Sequence, residues 1–437
     1  MAELALQRIP RTDSQRRGEL ISLKEDVLDA QRGLTCHVAK LPIELLVEVF
    51  TLLGQTHVLD VSHVCKHWRD VALSTPALWS TLILTKKDPV RKTDWWIQHS
   101  KGRISELSLR RSLHDNHAWS LDNLNDLHWE QLVTCRLEDW DIYPYLKQRS
   151  MLSVFSTLYE LELIDKDSRP QRDFLFTHAD PLLRRLRLDG VAISLQSLRH
   201  LKNLQILIIT GDSRTSFSFE ALINILEANP MLHTLILQPN PRMVTIRETC
   251  KVTMQHLQYL DIQNVNLYSN IFDAVTFPNV SYLSVAYGPI DSMLSTLADA
   301  GPPLAQLSLK CCTFSSLPLI NLLRKCHLIK MVEITYCQST VNPVVEALAT
   351  PLDALSPDLP CPMLSHLNLS GCSDVKSGPI SRLVESRIRG DQLKSDIQFL
   401  KIDSCPLVDA EFLPWFRQRV KNFSCVYLTK QAAKYRR

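Results

Sequence analysis

The feature that most constrains this chain is a recurring six-residue pattern, apolar-x-x-apolar-x-apolar. It begins at Ile104, Leu132, Leu158, Leu183, Leu204, Leu232, Leu257, Val280, Leu304, Ile329, Leu364 and Ile397. In a chain that is 45% apolar the bare pattern arises often by chance, so its regularity carries the weight. The first nine intervals all lie between 21 and 28 residues; the last two stretch to 35 and 33, which predicts inserted loops. The copies at 104 and 132 are less regular. Helical stretches fall between copies, among them FEALINILEAN at 219–229 and PLINLLRKC at 318–326. A short extended run repeated at a fixed period marks a stacked array, in which no unit buries its apolar face without its neighbours.

A further position sharpens this reading. Three residues beyond the final apolar position stand Cys312, Cys337, Cys372 and Cys405 in the last four copies, and Asn240 in the copy LHTLILQPN. With 12 Cys in 437 residues, four successive coincidences are improbable. The chain turns off its strand there, and an inward side chain has to satisfy, or pack tightly against, the backbone of the next coil. The pattern resembles the leucine-rich repeats, which place Asn or Cys at this point. The resemblance covers about three quarters of the chain. It implies an α/β fold, a curved solenoid with parallel strands on its concave side and helices on its convex side. The four aligned thiols are then structural, not metal ligands or redox groups.

Residues 38–84 are of a different kind, dense in apolar and aromatic side chains. Pro42 is tolerated in a first helical turn, and Glu44 puts negative charge near the positive end of the helix dipole. The stretch PIELLVEVFTLL places Ile43, Leu46, Val49, Phe50 and Leu53 on one face, and Gly54 breaks the helix. A second helix is predicted from about Val58 through Ala72, with Val61, Val64, Cys65, Trp68 and Ala72 at helical spacing. Pro76 ends it, and Leu78 and Trp79 add another apolar patch. In this order LPIELLVEVF, VSHVCKHWRDVA and PALW resemble the F-box motif, in the F-box-like form common in fungal families. The resemblance implies a three-helix module that binds a Skp-type adaptor, and through it a cullin scaffold and a RING subunit. Carried over, the adaptor-binding residues are Leu41, Pro42, Glu44, Leu45, Phe50, Val64, Cys65 and Trp68. Taken by themselves these residues equally fit the core of a small bundle, and a module this short often needs a partner to cover its apolar surface.

The chain thus divides into a tail with an amphipathic helix (1–37), an F-box-like domain (38–84), a leucine-rich-repeat domain (100–428) and a basic C-terminal tail (429–437). In the first segment Ser14–Leu34 reads as one helix, with Leu20, Leu23, Val27, Ala30 and Leu34 on a three-four spacing. The clusters Arg8, Arg11, Arg16, Arg17 and Lys430, Lys434, Arg436, Arg437 read as solvated tails. Lys plus Arg total 49 against 46 Asp plus Glu, and a formal charge of +3 predicts no strong attraction to nucleic acid or anionic lipid. No apolar run approaches the ~18 residues of a membrane span, and MAELALQRIP lacks the apolar core of a secretory signal. The expected location is cytoplasm, nucleus or both, with the cysteines reduced.

Strand alternation sends the repeating apolar positions inward and leaves the intervening ones on the open surface. Stacked coil by coil, that surface reads Thr134 and Arg136, Glu160 and Glu162, Arg185 and Arg187, Ile206 and Ile208, Thr234 and Ile236, Tyr259 and Asp261, Tyr282 and Ser284. Farther on come Met331 and Glu333, His366 and Asn368, and Phe399 and Lys401. The expected substrate-binding patch is Ile206, Ile208, Ile236, Tyr259 and Tyr282, aromatic and aliphatic anchors within a polar rim, with Arg185 and Arg187 orienting an acidic segment. The competing use is burial of the patch under a loop or the C-terminal segment EFLPWFRQRV.

The sequence has no Gly-x-x-x-x-Gly-Lys loop, no Gly-x-Ser-x-Gly elbow and no His-Glu-x-x-His helix. His63 and His67 lie one turn apart without a third ligand, and no metal or cofactor is expected. The sequence therefore predicts a non-catalytic substrate receptor of a Skp–cullin–F-box (SCF) ubiquitin ligase, one module on the adaptor and the other on a protein substrate. The runner-up is a ligase-independent interaction scaffold. An RNA-associated adaptor is a weaker third, because basic and aromatic residues are not interleaved.

Overall fold

A computed structural model describes residues 41–54, 57–110, 113, 119–139, 157–165, 182–191, 195–211, 219–238, 251–265, 271–351, 359–388 and 396–426. The helix expected at Ser14–Leu34, both basic tail clusters and Asn240 lie outside the described residues. Two compact units are distinguished, one comprising residues up to Thr81 with Trp95–Arg103, the other Leu82–Asp94 with Ile104 onward.

The first unit is helical: α1 is Ile43–Leu52, α2 Val58–Ser62 and α3 Lys66–Ser74, followed by a 3-10 turn at Pro76–Trp79. A further helix, α4 (Pro89–Ser100), contributes its last turns from Trp95. Trp79 is the centre of this unit. It is fully buried, its indole N–H donates to the Ala72 carbonyl at 2.8 Å, and the ring of Trp96 meets it edge-on at 4.9 Å. Leu46, Phe50, Val58, Val61, Val71, Ala72 and Leu78 complete the core. The continuous helix predicted over Val58–Ala72 is interrupted at His63–Cys65. Cys65 adopts an extended conformation and caps α3, its sulfur accepting the Trp68 backbone N–H at 3.5 Å. With the break in place Val61 faces the core while Val64 and Cys65 face out, so they do not share a stripe.

In the second unit the apolar pattern is drawn into one sheet. Its strands are β1 (Thr81–Leu84), β2 (Glu106–Leu109), β3 (Thr134–Glu138), β4 (Glu160–Ile164), β5 (Arg185–Asp189), β6 (Ile206–Thr210) and β7 (Thr234–Leu237). After a two-residue strand β8 (Val252–Thr253) come β9 (Tyr259–Gln263), a second short strand β10 (Val275–Thr276), β11 (Tyr282–Pro289) and β12 (Gln306–Thr313). The last four are β13 (Met331–Thr335), β14 (His366–Asn368), β15 (Phe399–Lys401) and β16 (Asn422–Ser424). Apart from β8 and β10, which pair with each other, all stand side by side in chain order in a 14-stranded sheet that begins at Thr81, ahead of residue 100. Every register given from β2 to β16 is parallel and places equivalent repeat positions opposite one another, as Tyr259 opposite Thr234 and Tyr282. Burial alternates along β3, β6 and β13 with the period of two that a one-sided sheet requires.

Between strands run α5 (Phe219–Ala228), the single turn α6 (Ile271–Ala274), α7 (Asp291–Ala300), α8 (Ser316–Lys325), α9 (Asn342–Ala349) and α10 (Ser377–Ile388). Each buries one stripe, such as Leu222, Ile225 and Leu226 of α5 or Leu319, Leu322 and Leu323 of α8. The terminal helix α11 (Leu413–Arg419) turns Phe416 inward, stacked on Phe423 of β16 at 5.4 Å. EFLPWFRQRV thus packs against the last strand and does not cover the tyrosines.

How the chain leaves its strands repeats as strictly as how it enters them. Asp139, Gly190, Gly211, Asn264, Tyr287, Cys311, Tyr336, Gly371 and Ser404 all have positive φ, and each stands five residues after the first surface position of its strand. This left-handed residue swings the next side chain inward. In the last four coils that side chain is a buried cysteine: Cys312, Cys337, Cys372 or Cys405. Each thiol donates to a carbonyl of the preceding coil, at Val285 (3.5 Å), Leu309 (3.7 Å), Ile334 (3.2 Å) and Leu369 (3.1 Å). Burial pushes the Cys372 thiol up to about 12 and the Cys405 thiol up to about 11, which keeps both protonated and bonded.

Candidate docking surfaces

The helical unit leaves much of its apolar surface uncovered. Helix α1 is only ten residues long, carries Glu44, Glu48 and Thr51 on one stripe and apolar residues elsewhere, and buries two side chains in the bundle, Leu46 and Phe50. Ile43, Val49 and Leu53, placed by spacing on one face with Leu46 and Phe50, are exposed, together with Leu41, Leu45, Leu52, Leu59 and Val64. Leu52 reaches 86% exposure and Val64 60%.

Of the residues assigned to adaptor contact, Leu41, Pro42, Glu44, Leu45, Val64 and Cys65 lie on the exposed surface. Phe50 does not: at 3% exposure it is a core residue, its ring 5.0 Å from that of half-buried Trp68. Leu52, Leu53, Leu59, Ile43 and Val49 were missed as surface residues. Their apolar character is legible in the sequence; which of them the small bundle leaves uncovered is not.

On the sheet, the residues mapped from strand alternation do form continuous rows. One row runs Thr134, Glu160, Arg185, Ile206, Thr234, Tyr259, Tyr282, Gln306, Met331, His366 and Phe399. Two residues along each strand, a second runs Arg136, Glu162, Arg187, Ile208, Ile236, Asp261, Ser284, Ser308, Glu333, Asn368 and Lys401. Gln306 and Ser308 complete the rows; the sequence map had passed over their coil.

Ile206, Ile208, Ile236, Tyr259 and Tyr282 are all half-buried neighbours. The two tyrosine rings stack face to face, centroids 4.1 Å apart and planes within 5°. Burial, reinforced by a hydrogen bond to Tyr282, lifts the Tyr259 phenol above its ordinary value, so it stays a neutral donor.

Arg185 and Arg187 both have acidic partners within the sheet. Arg185 pairs with Glu160 at 3.2 Å and Arg187 with Asp189 at 3.6 Å, while Arg136 reaches Glu138 at 2.8 Å and Glu162 at 3.3 Å. The register sets Arg185 beside Glu160, so along β3–β5 each arginine lies against an acid of its own or the neighbouring strand.

Among the described residues no His, Cys, Asp and Glu group has an arrangement that holds a metal ion, and no helix is long and apolar enough to cross a membrane.

With both surfaces defined, the chain was compared with known proteins. Residues 38–85 match the F-box-like family, and this segment is an F-box-like domain. No curated protein matches the chain. Solved structures do match, among them a chain of the crystal structure of the Rad7 and Elc1 complex in yeast. It is 14% identical, with a TM-score of 0.47 over 97% of this chain and 100% of that one. Likeness at that level carries no assignment.

Proposed function

We propose that this protein is the substrate-receptor subunit of a Skp–cullin–F-box ubiquitin ligase. The observation that carries the reading is the F-box-like domain at 38–85 together with its uncovered apolar surface, a surface that water disfavours and a partner would bury. In this reading the Skp-type adaptor covers Leu41, Leu45, Leu52 and Val64, and links the chain to cullin and RING subunits. The repeated array is a leucine-rich-repeat domain, with the half-buried rows of β6–β9 and β11–β14 as the client-binding face. The chain acts by proximity: it supplies no bond-forming group, cofactor or metal, and holding client and ligase on one body raises the effective concentration of one at the other. Such a receptor works in cytoplasm or nucleus.

Co-purification from the native cell tests the reading. The adaptor is expected to accompany the full chain, to be lost when residues 38–84 are deleted, and to bind at least tenfold more weakly to a Leu45→Asp, Val64→Asp double variant. Both positions are exposed, so the variant keeps its helical circular dichroism. Recovery of the full chain without adaptor would favour the ligase-independent scaffold.

A further inference from the structure

The second row of the sheet holds two carboxylates that no cation pairs. From Ile208 through Ile236, Asp261, Ser284, Ser308 and Glu333 to Asn368 it contains two carboxylates and no cation. Asp261 Oδ2 receives the Gln238 amide at 3.3 Å, the Ser284 hydroxyl also serves this carboxylate, its Oδ1 is turned inward, and burial holds the group above the ordinary carboxylate value. Glu333 receives the Ser308 hydroxyl at 3.0 Å and the Asn368 amide at 3.2 Å. All these donors are neutral. Among the described residues neither carboxylate has an ion pair, and Lys310, two positions beyond Ser308 on β12, pairs with neither; Lys401, beyond Asn368, is held by Asp403 at 3.5 Å. The contrast is with β3–β5, where each arginine has its acid.

Beside this row stand the Tyr259–Tyr282 stack, Met331 and the His366–Phe399 pair, whose rings are 5.6 Å apart. They offer apolar surface for methylene stems to lie along. Asp261 and Glu333 are three strand steps apart, about 14 Å at the ordinary interstrand spacing. An extended peptide places side chains four residues apart on the same side at about 13 Å. An α-helix brings side chains back to one face after seven or eleven residues, at about 10 or 16 Å, and matches less well.

We infer that the client-binding face takes an extended basic segment with two cationic side chains four residues apart, one on Asp261 and one on Glu333, its backbone crossing the strands over Ser284 and Ser308. This rests on the receptor reading for its biological meaning, but the binding itself is measured without a ligase.

The probes are fluorescein-labelled nine-residue peptide libraries with two fixed lysines and the remaining positions random. One library has the lysines four residues apart, a second has them three apart, and a third replaces them by glutamates. Enrichment on the full-length chain is expected for the first library over both others. Peptides so selected should bind Asp261→Asn or Glu333→Gln roughly five- to tenfold more weakly, and the double variant more weakly still, with thermal melting unchanged. Equal enrichment of the three libraries, none at all, or unaltered affinity for the double variant would each overturn the inference. If clients captured after proteasome blockade are ubiquitinated equally by wild type and double variant, this site fails while the receptor reading stands. Peptide binding that the double variant loses, with no adaptor recovered on the full chain from its native cell, gives the reverse result.

Discussion

Gly190 shows how closely consecutive coils approach. Its φ is +69°, and a Cβ added there would lie 2.3 Å from the Asp165 carbonyl oxygen, a backbone atom held in the ladder. Gly301, which ends α7 with φ +59°, meets nothing within 4 Å. Gly301→Ala should therefore cost only the left-handed conformational penalty, about 1 kcal/mol, while Gly190→Ala should cost at least twice that. Urea unfolding of the two variants checks the ordering; equal midpoints would remove the close-approach argument. The buried thiols give a pH dependence whose sign follows from their raised values. A group that holds its proton more tightly when folded adds stability below its unfolded value near 9, and that stability is lost as pH rises toward the folded value. The urea midpoint should fall between pH 9 and about 12, and Cys372→Ala with Cys405→Ala should flatten that decline. The sequence marked these cysteines through their spacing. It did not mark the residue before them, because the left-handed position is filled by Asp, Asn, Tyr, Cys and Ser as well as Gly, and no residue type announces it.

At the scale of elements, the strands were legible and the short helices were not. A strand's faces follow from a period of two, which a few residues suffice to display; α1 and α2 are too short for a 3.6-residue period to reveal which side is buried. What they bury depends on side chains from elsewhere in the unit, as Phe50 of α1 does on Trp68 of α3. Asn229 is another element-level device that the spacing overlooked. Fully buried at the end of α5, it donates to the Leu201 carbonyl at 3.0 Å and to Ile225 at 2.7 Å, and accepts the Leu204 N–H at 2.7 Å. It ties the end of that helix to the approach of β6. Asn229→Ala leaves these backbone groups unpaired in the interior and should destabilise the protein by about 2–4 kcal/mol. Hydrogen exchange should show the loss first around residues 201–207, and an undisturbed Leu204 amide would count against the tie.

At the scale of the whole molecule, a stacked array is as sound as its ends, since each coil contacts only its neighbours and the last strand has an open edge. Phe416 of α11, with no exposure and stacked on Phe423, packs the terminal helix against that last strand. Phe416→Ala should cost about 3–5 kcal/mol and expose β16, so light scattering on mild warming should rise well before that of the wild type. The sequence by itself determined most of the residues that line the open face of the sheet, all but those of the coil at Gln306 and Ser308, because alternation within each strand fixes its outward positions whatever the length of chain between strands. Only the tertiary structure decided which of those residues remain available. Register across strands gave Arg185 to Glu160 and left Asp261 and Glu333 without a cation, since charge pairing depends on distances between coils that one strand's pattern does not contain.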